Sequence, residues 1–96
     1  MQNRKSFTVK TSADFDAFLA ELNSALVKAV PNADQRKVIN AGFESLIRLT
    51  RFYLGLQLPP TAYYLVDEDD RLAWEETDPY GGKVIVFEMN KSWAKP

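Results

Sequence analysis

The chain has no cysteine and no histidine. The first absence excludes a disulfide framework and any thiolate metal site. It fits a reducing compartment, and a cytoplasmic location is the expectation. The second absence excludes more chemistry. Histidine is the commonest general acid–base near neutral pH and the commonest transition-metal ligand. An enzyme built from this chain would have to work with carboxylates, lysine, tyrosine, serine or a hard metal ion. No apolar run is long enough to span a bilayer, and no apolar stretch follows the polar, basic residues 1–5 as in a signal peptide. There is no catalytic or phosphate-binding motif, no internal repeat and no low-complexity tract.

What remains is ordinary in bulk and uneven in layout. The chain has 96 residues, 46% hydrophobic and 26% charged. That suits a single folded domain large enough to bury a core without staples. The expectation is one domain over residues 1–96, with 1–5 and 91–96 as flexible tails. A formal net charge of −1 gives no bulk attraction for nucleic acid.

Residues 32–58 read as one long amphipathic helix, opened by Asn32 as N-cap and stopped by Pro59-Pro60. Its main apolar stripe is Ile39, Phe43, Leu46, Ile47, Tyr53 and Leu54. A second stripe, Val38, Leu49, Phe52 and Leu56, runs beside it, with Ala41, Gly42 and Ser45 filling the row. Together the two cover more than the roughly 100° face that a surface helix of a small domain has to hide. A first helix over residues 13–30 carries one clean stripe, Phe15, Phe18, Leu19, Leu22, Leu26 and Val30, and Pro31 separates it from the second as an antiparallel hairpin.

Elsewhere the period is two. Strands are predicted over residues 6–10, 61–66, 71–76 and 83–90. The turns are at Asp67-Glu68-Asp69-Asp70 and Asp78-Pro79-Tyr80-Gly81-Gly82. On the last strand Ile85, Phe87 and Met89 are expected to face inward, and Val84, Val86 and Glu88 outward. The fold class is therefore α+β in the order β-α-α-β-β-β. An antiparallel meander of three to four strands is covered on one side by a helical hairpin.

Three groups of residues are candidates for function. Asp67, Glu68, Asp69, Asp70, Glu75 and Glu76 make an acidic hairpin, part of a stretch with seven acids against Arg71 alone. Such a surface can dock a basic partner. As a calcium loop it fails: the sixth position from Asp67 is Leu72 and the twelfth is Asp78, where glycine and glutamate are needed. Val38, Leu49, Phe52 and Leu56 make an apolar helix face for a protein partner or a second copy of the chain. Lys37, Arg48, Arg51 and Tyr53 could form a basic, aromatic-edged face for a small ligand or nucleotide. Nothing implies a cofactor or a resident metal.

The expected function is non-enzymatic. The chain reads as a small binding domain of inhibitor, adaptor or immunity type, such as phages and mobile elements encode. It would act through protein–protein contacts at the acidic hairpin and the apolar helix face. The alternative is a ligand- or nucleotide-binding module. Membrane association is not expected, and nucleic acid is a poor fit.

Overall fold

A computed structural model describes residues 4–56, 61–77 and 80–94. The elements are β1 (Arg4–Val9), α1 (Ser12–Ala29), α2 (Ala33–Gly55), β2 (Thr61–Asp67), β3 (Arg71–Thr77), β4 (Lys83–Asn90) and a short 3-10 turn, Lys91–Ala94. The four strands form one antiparallel sheet in the order β1-β2-β3-β4, with both helices on one face. The expected α+β architecture is thus the observed one. Residues 57–60, 78 and 79, which include the end expected for the second helix and part of the second turn, lie outside the described residues.

Local chemistry places the helix starts. Thr11 caps α1 through its hydroxyl, which accepts from the Asp14 amide, while the Asp14 carboxylate accepts from the amides of Lys10 and Thr11. Those backbone donors, the Lys10 amide foremost, hold the Asp14 carboxyl below its ordinary range. Asn32 caps α2 by accepting from the Gln35 amide at 3.0 Å. The Arg36 guanidinium then donates to the carbonyls of Val30 and Pro31, at 2.7 and 2.8 Å, and pins the turn between the helices.

The core is built around Trp74 in the middle of β3, which is fully buried. The rings of Phe18, Tyr63 and Phe15 lie 5.3, 5.8 and 5.9 Å from it, and Phe43 of α2 stacks at 6.4 Å. Leu22, Ala25, Leu26, Val30, Val9, Leu65, Leu72 and Met89 complete the cluster. Apart from Phe43 these are residues of α1, the loop that follows it, and the sheet. The long helix contributes far less: of all its residues only Phe43 is buried, with Ile39, Leu46, Ile47 and Leu54 half-buried. Tyr53, expected in the main stripe, is 48% exposed.

One strand departs from its expected facing. Trp74 pairs with Phe87, but Glu75 pairs with Ile85, so Val86 is an extra residue in β4. Such a bulge reverses the alternation on one side of it. Ile85 therefore joins Glu75 on the face away from the helices, and Val84 joins Glu76 on the helix side. Ahead of β4, Gly81 has φ +85°, a left-handed conformation that glycine adopts without a Cβ penalty.

Candidate functional site

The second stripe of α2 forms a continuous apolar flank. Val38 is 75% exposed, Leu49 49%, Phe52 62% and Leu56 53%. Ala41, Gly42 and Ser45 between them are exposed too, and a Cβ added at Gly42 would meet nothing within 4 Å. The flank has a definite location. On the α1 side, α2 is tied by Arg51, which reaches Asp16 at 2.7 Å and lies over the Phe15 ring. The free flank faces the other way, above β4. At its N-terminal end it borders a groove of about 360 Å³ whose walls include Val38, Ile39, Phe87, Met89 and Trp93. Trp93 stands 72% exposed at the rim. Among the described residues β4 pairs only with β3, so the sheet edge on this side is uncovered.

The acidic hairpin does not form one surface. Glu75 and Glu76 are neighbours on a strand and so point to opposite faces. Glu75 is buried on the helix-free face beneath a thin cover of long side chains. Its Oε2 receives Arg71 at 2.7 Å and Lys83 at 3.2 Å, and its Oε1 lies 2.9 Å from the Arg4 guanidinium without hydrogen-bond geometry. Burial alone would raise its pKa. The hydrogen bonds from Arg71 and Lys83, with the charges of Lys83 and Arg4, outweigh that and hold the carboxyl low. Arg71 also binds Glu88 at 2.7 Å and approaches Glu68 at 3.6 Å. Asp67 is paired with Lys91. Only Asp69 and Asp70 stand exposed at the hairpin tip. Among the described residues no three carboxylates converge closely enough to hold a metal ion.

The residues proposed as a basic ligand face are likewise not assembled. Arg48 is paired with Glu44 at 2.7 Å and Arg51 with Asp16. At about 100° per residue, Tyr53 sits far round the helix from Lys37, Arg48 and Arg51. Both arginines are therefore already charge-matched, and the tyrosine borders the apolar flank.

One feature was not foreseen. Glu76 lies half-buried on the helix side, opposite Tyr63 in the register. Burial pushes its carboxyl pKa up, and hydrogen bonding from the Tyr63 hydroxyl only partly offsets this. The Trp74 indole nitrogen, buried without a well-formed hydrogen bond, faces the same carboxylate. Tyr63 is itself raised, first by burial and then by the Glu76 charge. The arrangement is a partly buried polar contact between a carboxyl and a phenol.

No described helix is long and apolar enough to cross a membrane. Comparison with protein-family models, curated proteins and solved structures finds no match to this chain.

Proposed function

We propose that this chain works by binding another protein, and that the free flank of α2 is its contact face. The observation that carries the reading is the exposure of Val38, Leu49, Phe52 and Leu56 along one side of a helix whose other side is in the core. A continuous apolar row of this kind is the usual mark of a covered surface. Phe52 within it and Trp93 beside its N-terminal end are large aromatic anchors of the type enriched at binding surfaces. The role is of inhibitor or adaptor type. Its acids and bases are largely spent on each other, as in the Glu75 and Arg51 pairs, which favours contact over catalysis.

The test is a double variant, Leu49→Lys/Phe52→Glu, compared with the wild type in tagged capture from co-expressing cells. Untagged copies of the chain itself count among the captured proteins. Loss of the captured set from a variant that melts like the wild type supports the reading. An unchanged set overturns it.

A further inference from the structure

We infer that the occupant of the α2 flank is a second copy of this chain, packed antiparallel through the same flank; this rests on the contact-face reading above. Two observations converge on it.

The first is spacing. Val38, Gly42, Ser45, Leu49, Phe52 and Leu56 follow one another at steps of four, three, four, three and four residues. That is the alternation of a coiled-coil seam. All six positions are exposed; the first five lie in α2, and Leu56 is its C-cap with helical φ and ψ signs.

The second is self-complementarity. A two-fold contact requires that if one residue meets another, the reverse contact also occurs. Antiparallel overlap of the whole seam sets Val38 against Leu56 of the partner subunit, Gly42 against Phe52 of the partner subunit, and Ser45 against Leu49 of the partner subunit. Each small residue faces a large one. The open space above Gly42 is where the partner's Phe52 would sit. The partner's Leu56 would enter the groove between Val38, Met89 and Trp93, whose roughly 360 Å³ exceeds the 150 Å³ or so that holds a benzene ring. Parallel pairing would instead stack Gly42 on glycine and Phe52 on phenylalanine. Arg48 borders the seam near the two-fold axis, where its twin approaches. Its ion pair with Glu44 at 2.7 Å neutralises that meeting.

Because the chain has no cysteine, introduced thiols report the arrangement cleanly. Val38→Cys and Leu56→Cys chains, each purified alone and then mixed under mild oxidation, are expected to form mainly the mixed disulfide, at least tenfold over either homodisulfide. Ser45→Cys mixed with Leu49→Cys should do the same. Light scattering should give a dimer mass for the wild type. Gly42→Leu should weaken dimerisation at least tenfold while the monomer melts no lower, because it fills the space meant for the partner's Phe52. A strict monomer at millimolar concentration overturns the inference. So does a dominant homodisulfide of Val38→Cys or Ser45→Cys, or a tighter dimer with Gly42→Leu. If the chain is monomeric but capture of a different protein still depends on Leu49 and Phe52, the second copy is excluded and the contact-face reading stands.

Discussion

Glu75 and Glu76 adjoin in the chain and sit on opposite faces of β3, one carboxyl held below its ordinary range and the other pushed above it. The pair shows how the sheet sorts its charges. Glu75 is gripped by Arg71, Lys83 and Arg4, while Glu76 has only the polar edges of Tyr63 and Trp74.

Replacing Glu75 with glutamine should destabilise the domain by about 1–3 kcal/mol at neutral pH, since three cations lose a buried partner. The sign with pH follows from the lowered folded pKa. The stabilisation is present above the ordinary glutamate range and is lost as pH falls through the folded value. Urea unfolding of both proteins across pH 3–7 checks this: the curves should converge at the acid end.

Glu76→Gln should act in the opposite sense. The folded pKa of Glu76 is raised, so its stabilising protonated form is available below the ordinary glutamate range and lost as pH rises. The variant should melt a few degrees higher than the wild type at pH 7 and lose that advantage in acid. Differential scanning calorimetry at three pH values is sufficient.

The glycines should respond with opposite signs. Gly42→Ala, in an exposed helix interior with open space around it, should stabilise the monomer by about 0.5–1 kcal/mol. Gly81→Ala also meets open space, yet its positive φ should make the change cost about 1 kcal/mol. Chemical denaturation under dilute conditions separates the two.

Phe18→Ala should cost about 3–5 kcal/mol, because the ring is fully buried and touches Phe7, Tyr63 and Trp74 edge-on or tilted. The shift in urea midpoint at constant slope is the readout.

The element order, the cap at Asn32, the single buried stripe of α1 and the surplus stripe of α2 could all be read from residue spacing. These depend on local periodicity and on side chains a few positions apart. The β4 bulge could not, because an extra residue is decided by how β3 and β4 pair and leaves the composition of the strand unchanged. Ile85 therefore looked inward and faces out. Nor could the burial of Glu75 be foreseen: Arg4 is brought to it through β1 and β2, far off in sequence. The acidic stretch looked continuous along the chain because the two-fold alternation of β3 divides it only once the faces are assigned. The apolar flank was legible as an excess of hydrophobic circumference, and its uncovered state follows from how little of α2 the sheet reaches.

The unfolding midpoint measured over a thousandfold range of protein concentration tests most directly whether that flank is a contact surface. The account predicts that the wild-type midpoint climbs with concentration, while Leu49→Lys/Phe52→Glu stays at the dilute wild-type value throughout. A wild-type midpoint that does not move, or a double variant that melts far below the dilute wild type, would contradict it: the first removes the second copy, and the second makes Leu49 and Phe52 part of the monomer's own core.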